Sequence, residues 1–162
     1  MLIILEGCDG SGKSSLAELL KYLAHDSEDV EIIHATRETP NTREWFEEIM
    51  DKAKTHNIVL DRAFWGQFVY QKPDERHMGF VDLAALEKRL EADGGKLIYV
   101  YSPERVINRR LQRRGEIPSL PIKTILRRYK SLCKFARCPV IWYNSHTGVS
   151  KIFEYKRKGN LK

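Results

Sequence analysis

Cysteine is scarce in this chain. The three present among 162 residues, Cys8, Cys133 and Cys138, show neither metal-ligand nor redox spacing. An odd, unpatterned set of this kind reads as free thiols in a reducing compartment. The five histidines are scattered and form no H-x-x-x-H or related pair, so no zinc site is expected. Long apolar runs are missing too. The N-terminal Met1-Leu2-Ile3-Ile4-Leu5 is far too short for a signal h-region or a membrane span, and no cleavage signature follows it. These absences predict a cytoplasmic protein with no membrane partner. No internal repeat, linker or low-complexity tract divides the chain.

What is present is an ordinary globular composition, 42% hydrophobic and 31% charged, in a length that suits one domain over 1–162 with a proper core. The formal charge of +6 is uneven. Arg105, Arg109, Arg110, Arg113 and Arg114 crowd one segment, and Lys123, Arg127, Arg128, Lys130 and Lys134 crowd another. Lys151, Lys156, Arg157, Lys158 and Lys162 form a basic tail. Such runs are solvated faces, nucleic-acid footprints, or arginines that handle nucleotide phosphates.

The periodicity alternates. Leu2 to Leu5 reads as a buried strand, Lys13 to Ala24 as a helix, and Val30 to Ala35 as a second strand. A helix is predicted over Thr42 to Thr55, a strand at Ile58 to Leu60, and a short aromatic helix from Phe64 to Tyr70. After a loop over Lys72 to Gly79, a helix from Val81 to Ala92 closes at Gly94-Gly95, and Leu97 to Tyr101 is a fourth strand. Pro103 opens a basic helix reaching Arg114. Gly115 to Pro121 breaks the pattern as a lid-like loop, with the lid spanning about 113–127. A helix over Ile122 to Phe135, a fifth strand at Val140 to Tyr143 and a last helix over Val149 to Tyr155 complete the chain. Strands alternating with helices predict an α/β three-layer sandwich around a five-stranded parallel sheet, with ligands at the strands' carboxyl ends.

One stretch carries specific chemistry. Gly7-Cys8-Asp9-Gly10-Ser11-Gly12-Lys13-Ser14 fits G-x-x-x-x-G-K-S/T without a gap, directly after the first strand. The glycines let backbone N–H groups curl around a phosphate, and the helix that follows points its positive end at the anion. Gly7 to Ser15 would thus cradle the phosphates, Lys13 would reach the β- and γ-phosphates, and Ser14 would offer a hydroxyl to Mg²⁺. Arg37 and Asp61-Arg62 follow the second and third strands and so fall at the same edge of the sheet.

Taken in order, these pieces resemble the thymidylate kinase family. Glu6-Gly7-x-Asp9-Gly10-x-Gly12-Lys13-Ser14 is similar to its phosphate loop, and Thr36-Arg37-Glu38 to the start of its T-R-E-P segment. Asp61-Arg62 matches its D-R motif, and Tyr70-Gln71 falls at the downstream Y-Q. Arg113-Arg114-Gly115-Glu116 and Arg127-Arg128-Tyr129 are similar to its lid-flanking pieces. The resemblance implies a phosphate-loop fold and ATP- and Mg²⁺-dependent transfer to a deoxynucleoside monophosphate, dTMP above others. It places Asp9 near the acceptor sugar or its phosphate, and Arg37 and Arg62 on that phosphate as bidentate forks. Asp61 would bind Mg²⁺ through water, orient Arg62, or cap its strand. Tyr70 would pack against the deoxyribose, with Gln71 beside it. Gly10 stands where some members carry a catalytic arginine, which points to a lid arginine instead. Arg113 or Arg114 is that candidate, with Arg110 nearer the adenine, and each also reads as a solvated helix arginine.

Three departures accompany the match. The span from Arg37 to Asp61 is short, Gly66 replaces a serine, and the lid between Glu116 and Arg127 is clipped. The helix bearing the family's base-stacking phenylalanine is not recognisable; Trp45, Phe46, Trp65 or Phe68 would replace that platform or simply fill the core. Two other functions stay open. A deoxynucleoside kinase would use a carboxylate near the loop as base and leave Arg37 without a task. A nucleotide-regulated nucleic-acid-binding protein would use the basic segments as a backbone footprint. Nucleic acid is disfavoured as a partner because the arginines lie where a kinase lid belongs. Small nucleotides are the expected partners, and assembly as a homodimer is left open.

Overall fold

A computed structural model describes residues 1–24, 30–36 and 38–153. Six strands form one sheet: β1 (Leu2–Glu6), β2 (Val30–His34), β3 (Asn57–Asp61), β4 (Lys96–Tyr101), β5 (Val140–Asn144) and β6 (Val149–Phe153). Their order is β2-β3-β1-β4-β5-β6, and the first five run parallel. Among the described residues six α-helices connect them: α1 (Lys13–Leu23), α2 (Arg43–Lys52), α3 (Trp65–Tyr70), α4 (Phe80–Ala92), α5 (Glu104–Arg114) and α6 (Ile122–Phe135).

The end of the chain departs from expectation. Val149 begins an antiparallel edge strand instead of a helix, so the sheet has six strands and is mostly, not wholly, parallel. The cause is the turn before it. Gly148 adopts φ +70° and its N–H donates to the Asn144 carbonyl at 2.8 Å, which folds a four-residue loop back onto β5. Residues 154 and 155, the close of the expected helix, lie outside the described residues, as does most of the basic tail.

Alternation along the strands sorts the core into two faces. Leu2 and Ile4, Ile58 and Leu60, Leu97 and Tyr99 join Phe46, Trp65, Leu86 and Tyr129 on one side. Leu5, Val59, Ile98 and Val100 meet Leu16 and Ala17 of α1 on the other. The first face is the deeper one, clad by α2, α3, α4, α5 and α6. Trp65, Phe46 and Phe64 are buried there, and each such ring adds roughly 1.5–3 kcal/mol of transfer free energy. Trp45 stands edge-on to Phe46 with ring centres 4.7 Å apart, and Phe68 packs on Phe80. Trp45, Phe46, Trp65 and Phe68 are therefore packing residues.

The helix boundaries have local causes. Thr42 caps α2, its hydroxyl accepting from the Trp45 N–H at 3.3 Å. Gly115, at φ +69°, ends α5 in the left-handed conformation. The polypeptide then runs without helix or strand through 115–121 before α6 starts.

Candidate functional site

β1 lies between β3 and β4, and the chain crosses from one flank to the other after β3. A parallel sheet opens a crevice where its order reverses in this way, at the carboxyl ends of the strands. The loop 7–12 leaves β1 at this point.

Two glycines there are demanded by space. A Cβ on Gly7 would lie 2.2 Å from the Val100 carbonyl oxygen, and one on Gly12, at φ +99°, would lie 2.8 Å from Ser145 Oγ. The loop is thus pressed against β4 and the turn after β5. Arg110 completes the clamp from α5: its Nη1 donates to the Gly10 carbonyl at 3.0 Å and to Ser145 Oγ at 3.1 Å. Arg110 accordingly braces the loop's backbone. Ser102 and Ser145, which share this network, were not singled out from the sequence. They follow β4 and β5, so the rule that flagged Arg37 and Asp61 applies to them equally.

Lys13 is buried, and its Nζ donates to the carbonyls of Gly7 (2.8 Å) and Cys8 (3.0 Å). Burial pulls its pKa below the ordinary lysine value, Arg62 adds to that, and Asp61 and Asp9 oppose it. Two neutral carbonyls are weak partners for a desolvated ammonium; an anionic phosphate is a better one.

Ser14 and Asp61 meet. The Ser14 hydroxyl donates to Asp61 Oδ2 at 2.9 Å, and His34 Nδ1 lies 3.1 Å from the same oxygen. Asp61 Oδ1 is buried and without a hydrogen-bond partner among the described residues. An orphaned carboxylate oxygen beside a serine hydroxyl is an oxygen donor set that suits a hard divalent cation such as Mg²⁺. His34, at the end of β2, is a neighbour that the sequence reading missed.

Arg62 adopts φ +72°, an uncommon conformation for a residue with a side chain. Its N–H donates to the Leu5 carbonyl at 3.0 Å, fixing the kink, and its guanidinium pairs with Asp9. Asp9, and not Asp61, is therefore the carboxylate that orients Arg62. Arg37 lies outside the described residues.

Glu6 underpins this corner. Fully buried, it accepts from the N–H groups of Ala63 (3.2 Å) and Trp65 (2.8 Å), tying β1 to the segment after β3. Burial raises its pKa from the ordinary 4.5 to about 7, against the opposing pull of those N–H donors and Lys13. Tyr129 Oη donates to the Gly7 carbonyl at 3.1 Å, which seats α6 over the loop. Burial pushes the Cys8 thiol up to about 11 and the other two thiols upward as well, so none is a poised nucleophile.

Two chambers open around these residues. One, of about 320 Å³, is lined by the loop residues Asp9, Gly10, Gly12, Lys13, Ser14 and Ser15 with Asp61, Arg62, Arg114 and Glu116. The other, of about 420 Å³, lies between Ala35, Thr36 and Asn41 on one side and α3 on the other, with Gln67, Tyr70, Gln71 and Tyr129 in its wall. Asp9 and Arg62 border both. Arg114 reaches the first chamber and sits 3.8 Å from Glu116; Arg113 is exposed and lines neither. In the second chamber Tyr70 Oη and Gln71 Oε1 are buried without a hydrogen-bond partner among the described residues. Gln67 braces the wall by donating to the Asn41 carbonyl and accepting from the His77 N–H at 3.0 Å. Asn41 and Gln67 had no motif to reveal them. The space around Gly66 is open, with no atom within 4 Å of where its Cβ would stand.

No protein-family model matches the chain, and no curated protein matches it. Solved structures do. The YorR protein from Bacillus subtilis, crystallised with phosphorylated GDP, is similar over 90% of this chain and 86% of its own, at 26% identity and a TM-score of 0.75. Deoxyadenosine kinase from M. mycoides with bound dCTP is similar over 90% of this chain and 91% of its own, at 17% identity and a TM-score of 0.57. The same enzyme with bound dATP gives 18% identity and a TM-score of 0.52. The chain thus has the three-layer α/β fold seen in these nucleotide-bound proteins, and the kinase likeness at 17–18% is one of fold alone.

Proposed function

We propose that this chain is a phosphate-loop kinase that moves the γ-phosphoryl group of ATP onto a deoxynucleoside monophosphate. Thymidylate is the acceptor that the sequence resemblance selects. The carrying observation is that the two chambers meet at Asp9 and Arg62. Transfer between two polyanions needs a donor cradle and an acceptor pocket that share a positively charged border, with attacking and leaving oxygens in line. YorR, similar in fold at 26% identity, was crystallised with phosphorylated GDP, which agrees with a nucleotide in the cleft.

In this reading Gly7 to Ser15 bind the donor phosphates through backbone N–H groups, and Lys13 exchanges its two carbonyl partners for phosphate oxygens. Ser14 and Asp61 would hold Mg²⁺, whose chemistry when bound would be to neutralise charge on the donor phosphates. Arg62 holds the acceptor phosphate, with Arg37 joining it, and Asp9 keeps Arg62 aimed. Arg114 is the lid arginine that would meet the transferred group, since it already lines the donor chamber and Arg113 does not. The segment from 113 to 127 is the lid that excludes water during transfer. Tyr70 closes the acceptor chamber against the sugar, and Gln71 presents an unpartnered oxygen beside it.

One observation favours a second reading. The charge of Arg62 is already met by Asp9, so an acceptor without a phosphate leaves no bare cation. A deoxynucleoside kinase would then use Asp9 as base on the 5′-hydroxyl. A coupled assay of ATP with each nucleoside, deoxynucleoside and monophosphate separates the two. ADP release with monophosphates supports the proposal; release with unphosphorylated deoxynucleosides alone overturns it.

A further inference from the structure

A cavity of about 880 Å³, roughly twice the acceptor chamber, lies between α3, α4 and α6 and shares the wall residues Tyr70, Gln71, Glu75 and Ser119 with that chamber. Nothing in the transfer reaction uses it. Its walls are aromatic and aliphatic, with Phe68 and Phe80 4.6 Å apart and tilted by 37°. Phe80 stands 63% exposed, an outlay of apolar surface that packing does not explain.

Four arginines line this cavity: Arg76, Arg127, Arg128 and Arg137. None of them makes an ion pair with a described carboxylate. The Arg76 guanidinium lies 4.9 Å from the Phe68 ring centre and 5.7 Å from that of Phe80, and its Nε is buried without a hydrogen-bond partner. The two acids in the wall are engaged elsewhere. Glu87 accepts from Trp65 Nε1 at 2.8 Å and the Arg137 N–H at 2.6 Å, and Glu75 accepts from the Lys72 N–H at 3.2 Å. Arg128 donates to the Val69 carbonyl, which anchors α6 at the rim.

Cations crowded around an apolar, aromatic hollow call for a ligand that is flat at one end and anionic at the other. We propose that this cavity binds a second nucleotide, separate from the reacting pair, with its base against Phe80 and Arg76 and its phosphates on the arginine rim. The acceptor chamber, at about 420 Å³, is roomy enough for a monophosphate on its own, so a molecule in the larger cavity is additional. The inference rests on the cavity's own chemistry and does not depend on the transfer reaction.

The test uses the full chain carrying Lys13→Ala and Arg62→Ala together, which weakens both reacting chambers and leaves Phe80 and Arg76, which line neither, to report on the third. Calorimetric titration with the four deoxynucleoside monophosphates and the four triphosphates is expected to show one equivalent of at least one nucleotide still bound. Adding Phe80→Ser or Arg76→Gln should each weaken that binding at least roughly tenfold, the scale of a lost stacking or guanidinium contact. Phe80 is exposed enough for its variant to keep the parent's melting temperature, and Arg127→Gln serves as the second rim variant if Arg76→Gln unfolds. No binding by any of the eight nucleotides overturns the proposal. So does binding that both wall and rim substitutions leave unchanged. If the wild type transfers no phosphate while Phe80-dependent binding persists, the kinase reading fails and this one stands.

Discussion

The chamber proposed for the donor takes most of its lining from one stretch, 9–15, whereas the one proposed for the acceptor is assembled from five: the loop, the residues Ala35, Thr36 and Asn41, 62–75, Ser119 and Tyr129. The first depends on backbone geometry pinned by Gly7, Gly12 and Arg110, the second on side chains brought together by the ends of β2 and β3. A chamber built from one contiguous turn tolerates few changes, because each residue does a job that no neighbour can share. A chamber built from dispersed side chains can be retuned position by position. Activity should therefore be brittle on the donor side and graded on the acceptor side.

The largest effect expected is that of Lys13→Ala. Its ammonium is the mobile positive charge of the loop, so turnover with ATP and any acceptor should fall on the order of a thousandfold or more, with circular dichroism unchanged. Near-native turnover would remove the phosphate-loop assignment.

Glu6 sharpens the comparison because it joins the two sides. Its pKa in the fold, about 7, stands above the ordinary 4.5. A folded-state pKa raised in this way means that the fold holds the proton more tightly than the unfolded chain does. The contribution is fully present below pH 4.5 and is lost as pH rises through 7. The loss amounts to about 3 kcal/mol at most. Denaturant melts of the wild type should thus show stability falling across that window relative to Glu6→Gln. Parallel pH profiles would contradict the buried, proton-holding Glu6.

Tyr70→Ala probes the graded side. The wild type should prefer deoxyribonucleotides, and the variant should relax that preference by roughly tenfold, read as the ratio of kcat/KM for paired ribo- and deoxyribonucleotides. Equal use of both sugars by the wild type would take this role from Tyr70. A smaller effect is expected of Ser14→Ala, where the loop is least brittle because Asp61, from outside the contiguous turn, shares the task and retains its free oxygen: a few-fold higher Mg²⁺ requirement with little change in melting temperature.

The same contrast explains what was legible in the sequence. The phosphate loop, its strand and its helix stood out because their spacing is fixed by local geometry. The ends of the second and third strands were legible for a related reason, since every parallel strand delivers its carboxyl end to one edge. Gln67, Asn41 and His34 were not, because their meaning arises only when separate segments pack together. The terminal helix was misread because Val149 to Tyr155 carries no turn signal of its own. The signal lay upstream in Gly148, whose left-handed φ bends the chain back as a strand. The aromatic candidates were ambiguous in sequence, since a stacking platform and a core share the same residues, and burial of Phe46 and Trp65 decides for the core.

The most direct measurement compares kcat/KM for thymidylate and for thymidine, with ATP, in the wild type and in Arg62→Ala. The account predicts that the wild type uses the monophosphate and that the substitution lowers this activity tenfold to a hundredfold or somewhat more, the scale of one charge-assisted contact, while ATP affinity is retained. Turnover of thymidine that Arg62→Ala leaves unchanged would contradict it, because the guanidinium at the shared border would then have no acceptor phosphate to hold.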